Sequence, residues 1–204
     1  MRLHWSPKSP FVRKVMIAAH ELNLTDRIEL MRNMVALTKP NPVIMADNPL
    51  NKIPTLVLAD GTVLTDSRVI IEYLDALAGG DRLLPVTGPE RWVSLARQAQ
   101  GDGLLDLLII WRNEREKPVA QVSHAWIDAF EIKAQATLDR FETSAPALAA
   151  SRFDVGQIAI GCALSYLDFR FDAVGWRRGR PALEAWHDGF TARASVRATE
   201  VTDD

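Results

Sequence analysis

Ser6-Pro7-Lys8-Ser9-Pro10-Phe11-Val12-Arg13-Lys14-Val15 follows directly on a short apolar strand and opens a helix, so it sets a hydroxyl at a helix mouth. Ser9 is a preferred N-cap and Pro10 suits the first helical position. Val12, Val15, Met16, Ala19 and Leu22 then recur at helical spacing along one face. At the start of such a helix the backbone N–H groups lack partners and the macrodipole is positive. A thiolate, phosphate or carboxylate near Ser9 would be stabilised there without a charged side chain. A Ser-Pro pair at a helix start is more often a plain structural cap, and further segments are needed to make it a site.

Two such segments follow. In Asn48-Pro49-Leu50-Asn51-Lys52-Ile53-Pro54-Thr55-Leu56-Val57-Leu58 a proline stands immediately before a β-branched apolar run, the position at which a strand tolerates it. The turn residues Asp60-Gly61 connect onward to Val63 and Leu64, which reads as a hairpin. Thr65-Asp66-Ser67 opens a second helix with Val69, Ile70, Tyr73, Leu74 and Leu77 on its apolar stripe. The first third of the chain therefore carries two polar helix mouths, at Ser9 and at Asp66-Ser67, with a proline-led strand edge between them.

The ordered set Ser-Pro-Phe-Val-Arg-Lys-Val at 9–15, Asn-Pro-Leu-Asn-Lys-Ile-Pro-Thr-Leu at 48–56 and Leu-Thr-Asp-Ser-Arg-Val-Ile-Ile-Glu-Tyr-Leu at 64–74 resembles the cytosolic-type glutathione S-transferases. The likeness is to bacterial members with the serine version of the active-site motif, and it runs along nearly the whole chain. It implies an α/β thioredoxin-like N-terminal domain followed by an all-α C-terminal domain. The expected boundaries are 1–78 for the glutathione-binding domain, 79–87 for a linker rich in breakers, and 88–204 for the helical domain.

The site residues implied by the resemblance are these. Ser9 would hydrogen-bond the glutathione thiol and favour its thiolate, with Ser6 in the preceding loop as the alternative. Ile53 would pair its backbone with the cysteinyl residue as an added strand does, and a cis Pro54 would keep that edge open. Asp66 and Ser67 would take the ammonium and carboxylate of the γ-glutamyl end. Lys52 would meet the glycyl carboxylate or stand as a solvated loop lysine. Glutathione would serve as co-substrate, with a small apolar electrophile as the other reactant. Trp111 and Arg112, with Leu108 one turn earlier, are candidates for the electrophile side, although a stripe of this kind is more often core. Two other readings stay open: a glutathione-dependent thiol reductase, which normally uses cysteine at this helix mouth, and a non-enzymatic interaction or stress-response module. A homodimer is implied, in which Asp102 would reach the partner's glutathione or remain a solvated acid.

Composition agrees with this. The chain has 204 residues, a formal net charge of −2 and 48% hydrophobic residues, enough for one or two domains with a sizeable core. The near-neutral balance argues against a nucleic-acid partner. Arg177-Arg178-Arg180 reads as a solvated loop, since it is short and lacks interleaved aromatics. No secretory signal and no membrane-length apolar run is read, and the single cysteine, Cys162, fits a reducing cytoplasm. Histidines 4, 20, 124 and 187 lack metal-ligand spacing, so no metal is expected. Gly88-Pro89 should open a long helix that ends before Pro118, and the last helix should begin near Pro181. Asp154-Val155-Gly156-Gln157 has the form of a capping box at the start of an apolar core helix.

Overall fold

The computed structural model describes residues 1–203. The first elements in chain order are β1 (Arg2–Trp5), α1 (Pro10–Glu21), β2 (Glu29–Arg32), α2 (Pro42–Asp47), β3 (Thr55–Val57), β4 (Val63–Leu64) and α3 (Ser67–Leu77). Helices α4 (Pro89–Arg115), α5 (His124–Ala150), α6 (Val155–Arg170), α7 (Pro181–Thr191) and α8 (Ala194–Arg197) follow. The chain divides into two units. Met1–Arg91 and the residues from Ala194 onward make the first, and Trp92–Arg193 the second. A division by sequence at 79–87 leaves 194–203 with the helical part, whereas their contacts lie with the first unit.

The first unit is built on a four-stranded sheet in the order β2-β1-β3-β4. β1 is parallel to β2, a pairing that requires a crossover, and α1 supplies it. From Val12 to Ala19 the residues of α1 are all buried, Arg13 and Lys14 included. The run Val15-Met16-Ile17-Ala18-Ala19 has no polar face to offer to water. α3 packs against α1 through a stripe in which Ile70, Ile71 and Leu74 are fully buried. His4 on β1 is also fully enclosed. Asn33 Nδ2 donates to its Nδ1 at 2.9 Å, which leaves the Nε2 proton for Asp47 Oδ2 at 2.8 Å and ties α2 to the sheet.

The segment read as a linker is anchored to α3. The buried carboxylate of Asp75 accepts the backbone N–H groups of Arg82 at 3.2 Å and Leu83 at 2.9 Å. At the other end of the chain, α8 packs against α1. Arg13 Nη2 donates to the Val196 carbonyl at 3.3 Å, and Ser195 Oγ to Glu21 Oε1 at 2.5 Å.

The second unit is entirely helical, with α6 as its core: every residue from Val155 to Leu167 is buried. Asp154 caps α6 by accepting Gln157 N–H at 2.8 Å, and its other oxygen accepts the Ser94 hydroxyl at 2.6 Å. The expected capping box is realised in that one direction, because the Gln157 amide donates instead to the carbonyls of Leu148 and Arg152 at 3.0 and 2.9 Å. α4 and α6 approach so closely at Gly101 that an added Cβ would lie 2.6 Å from the Ala159 backbone.

Three readings change here. Arg180 is 7% exposed and binds Asp139 Oδ1 and Gln135 Oε1, while Arg177 pairs with both oxygens of Asp168 and stays partly exposed; Arg178 is exposed. Asp139, on α5, lies far off in sequence from Arg180, whereas Asp168, at the end of α6, is nine residues before Arg177. Asp102 is buried rather than solvated. Trp111, by contrast, takes the core position that its spacing favours, packed against Phe171 and Phe130 at centroid distances of 4.9 and 6.4 Å. The final helix is α8, not the one that begins at Pro181.

Candidate functional site

Strand register decides where the polar helix mouths lie. His4 is paired with Thr55 in the antiparallel β1–β3 ladder, so the loop after Trp5 leaves the sheet at the end where Pro54 enters it. Leu56 is paired with Leu64, and β4 therefore also runs out at that end, toward Thr65, Asp66 and Ser67. Three segments converge there: the loop with Ser6 and Ser9 after β1, Ile53-Pro54 before β3, and the mouth of α3 after β4. With strands about 4.8 Å apart, β1 and β4 are separated by roughly 10 Å across β3. An extended tripeptide has about that length.

Ser9 is half-buried at the N-cap of α1, with its Oγ accepting Val12 N–H at 3.3 Å. Its carbonyl accepts Arg13 N–H at 3.0 Å, and Pro10 has no N–H to give. Among the described residues no hydrogen bond uses the Phe11 N–H or the Ser9 O–H, so both remain as donors in the first turn. Ser6 is held in the loop by Lys8, whose N–H donates to its Oγ at 3.4 Å, and its carbonyl accepts Ser9 N–H at 3.2 Å.

The Ile53–Pro54 peptide bond is cis. Among the described residues no hydrogen bond engages the backbone N–H or C=O of Ile53, while β3 proper is paired on both sides. Asn48 and Thr55 brace the approach: Asn48 Nδ2 donates to the Lys52 carbonyl at 3.2 Å and to Thr55 Oγ1 at 2.9 Å, and Thr55 Oγ1 donates to the Lys52 carbonyl at 2.8 Å. Lys52 itself is exposed.

At the mouth of α3, Asp66 is the N-cap and its Oδ1 accepts Arg68 N–H at 2.9 Å. The Arg68 guanidinium meets Oδ2 at 2.9 Å, with both side chains about half exposed. Burial pushes the Asp66 carboxyl up, but the hydrogen bonds and charge of Arg68, with the charge of Lys14, together hold it below the usual carboxylate range. Ser67 is 2% exposed. Its Oγ lies 3.0 Å from Lys14 Nζ, which reaches across from α1.

Lys14 and His4 are the polar residues of this region that sequence reading passes over. Enclosure of Lys14 is signalled only indirectly, by the uninterrupted apolar run that follows it and leaves α1 no solvent face. Among the described residues no group of three or more His, Cys, Asp or Glu is placed to hold a metal ion, and no helix is long and apolar enough to cross a membrane.

Comparison with known proteins agrees with this arrangement. Residues 8–77 match the model of the glutathione S-transferase N-terminal domain, and residues 125–189 that of the C-terminal domain. The uncharacterised GST-like protein YibF of Escherichia coli (strain K12) is 32% identical over 98% of both chains. A glutathione transferase family member from Pseudomonas fluorescens Pf-5, crystallised with bound glutathione, is 38% identical, with a TM-score of 0.95 and 98% of each chain covered. A glutathione S-transferase from Methylobacillus flagellatus KT with glutathione bound is 32% identical, with a TM-score of 0.87 and coverage of 98% of this chain and 99% of that one. Strand register, the two helix mouths and these full-length likenesses lead to one conclusion: the chain belongs to the glutathione S-transferase family.

Proposed function

We propose that the protein is a glutathione transferase that binds glutathione at the sheet end where Ser9, Ile53-Pro54 and Asp66-Ser67 converge, and conjugates it to small apolar electrophiles. The observation that carries this reading is the convergence itself: a free strand edge at Ile53, flanked about one strand away on each side by a helix mouth rich in donors. The cysteinyl residue pairs with the Ile53 backbone. The γ-glutamyl carboxylate meets the N–H and O–H of Ser67, and its ammonium meets Asp66. Lys52, exposed beside the edge, suits the glycyl carboxylate.

The sulfur then lies toward the mouth of α1. Donation from the Ser9 hydroxyl and the Phe11 N–H, in the positive field of the helix end, stabilises the thiolate over the thiol. The thiol proton leaves to solvent, the thiolate attacks the electrophilic carbon, and for a chlorinated aromatic a C–S bond forms as chloride departs. Serine at this position cannot form the mixed disulfide that a reductase cycle needs, which favours conjugation. By analogy with the family we place the protein in the cytoplasm as a homodimer. Calorimetric titration with glutathione, followed by an assay with a chlorinated dinitroaromatic, tests the proposal. Binding in the micromolar to millimolar range with thioether formation is expected. Binding without any turnover would turn the reading to an interaction module.

A further inference from the structure

We infer that the buried guanidinium of Arg13, one helical turn after Ser9, stabilises the thiolate of bound glutathione through its charge, without touching the sulfur. The inference rests on the glutathione reading above. Arg13 is 8% exposed, and its Nε is enclosed with no hydrogen-bond partner. Nη2 donates to the Val196 carbonyl at 3.3 Å, and among the described residues no carboxylate forms an ion pair with this guanidinium. The acids of the elements packed around α1 are engaged elsewhere or lie in water. Glu21 accepts the Ser195 hydroxyl, and on α3 Glu72 meets Arg91 at 2.7 Å while Asp75 holds the N–H groups of Arg82 and Leu83. Asp203, after α8, meets Lys8 Nζ at 3.0 Å, and Asp26 is exposed.

Packing gives no reason for a guanidinium at this position. A methionine would fill a similar length without the desolvation that a buried charge incurs, and the nearby positive end of α1 repels a cation further. Both costs fall when an anion occupies the helix mouth. Arg13 stands four residues after the N-cap, on the face of α1 that carries Ser9, and its own N–H donates to the Ser9 carbonyl at 3.0 Å. One turn rises about 5.4 Å, so the charge lies roughly 10 Å from a sulfur held at the mouth. At that distance and an effective dielectric of about 20, a unit positive charge lowers a thiol pKa by about one unit, and water at the half-buried mouth reduces this to about 0.5–1 unit. The Val196 carbonyl holds the guanidinium in place, which makes the return of α8 part of the same device.

The test compares two ligands on the full chain: glutathione, and S-methylglutathione, which has no ionisable sulfur. Thiolate absorbance of bound glutathione is titrated against pH, and both affinities are measured by calorimetry. In Arg13→Met the pKa of bound glutathione should rise by about 0.5–1 unit, so that its affinity falls about three- to tenfold above both bound pKa values and is unchanged well below them. S-methylglutathione should bind wild type and Arg13→Met equally. Arg13→Lys, which keeps the charge, should restore a pKa close to the wild-type value. Should Arg13→Met fail to fold, Arg13→Gln, neutral but still able to donate to the Val196 carbonyl, carries the same expectation. A folded Arg13→Met or Arg13→Gln with the wild-type thiolate pKa overturns the proposal. So does an equal loss of affinity for both ligands at every pH, which would make Arg13 a structural residue only. Wild type that binds neither ligand overturns the glutathione reading itself.

Discussion

The Ser9 hydroxyl holds two positions at once, and two substitutions separate them. As N-cap it accepts Val12 N–H at 3.3 Å, a long contact. Ser9→Ala should therefore cost about 1 kcal/mol of stability or somewhat less, whereas Ser9→Gly at a cap costs only a few tenths. As thiolate donor the hydroxyl is lost equally in both. A hydrogen bond to a charged acceptor is worth about 1.5–3 kcal/mol, and water entering the half-exposed mouth replaces part of it. A rise of about one unit in the pKa of bound glutathione, about 1.4 kcal/mol, is the expected result in either variant. Below both pKa values the thiolate fraction then falls about tenfold, but the more basic thiolate is intrinsically the better nucleophile by about threefold, so the net rate loss is about threefold. Above both pKa values the wild type has no more thiolate than the variants, and the pH–rate curves should meet or cross. Thiolate absorbance of the bound complex, titrated in all three proteins, reads the pKa directly. An unchanged pKa in both variants, or rate curves displaced by a constant factor at every pH, would refute the role of Ser9 and move it to Ser6 or to the Phe11 N–H.

Three further outcomes are expected. Asp66→Ala should weaken glutathione binding by about tenfold, near the low end for a charge-assisted hydrogen bond because Arg68 already shares the carboxylate, and equal affinities by calorimetry would remove Asp66 from the site. Because the Asp66 carboxyl is held below its ordinary value, its contribution to stability is complete above the unfolded pKa and fades as pH falls through the folded one; acid unfolding of Asp66→Asn should lack that component. Asp154→Ala removes the cap of α6 and the acceptor of the buried Ser94 hydroxyl together, and a loss of about 2–4 kcal/mol should appear in urea unfolding, with less than 1 kcal/mol counting against the account. Sedimentation equilibrium at micromolar concentration should give twice the chain mass, and a monomer there would count against the homodimer.

Local signals were legible. Ser9-Pro10 reads as a cap followed by a first-turn proline, Asp66-Ser67 as a helix opening, Pro54 as the first residue before a strand, and Asp154 as the cap of the core helix. Each is decided within four residues by hydrogen-bond geometry or by the proline ring. Enclosure was not legible in the same way. Lys14, Asp102 and Arg180 are charged, and a sequence reader places such residues in water. What buries them is supplied by other elements, as with α3, which brings Ser67 to Lys14, and α5, which brings Asp139 and Gln135 to Arg180. Trp111 shows the converse. Its spacing fits either a pocket or a core, and only the positions of Phe130 and Phe171, about twenty and sixty residues onward, decide for the core.

The return of α8 to α1 bears on the order in which the chain can be completed as it is synthesised. Everything the second unit needs lies between Trp92 and Arg193, so that unit can close as soon as its own residues have emerged. The first unit begins earlier and finishes later. Until Ser195 and Val196 are available, Glu21 lacks its hydroxyl donor and the buried Arg13 of the chain's first helix lacks the carbonyl that its guanidinium binds. Nascent chains arrested before residue 194 should therefore hold a protease-resistant helical part attached to an N-terminal part that is still readily cut, and resistance of both should appear only when the last helix is present.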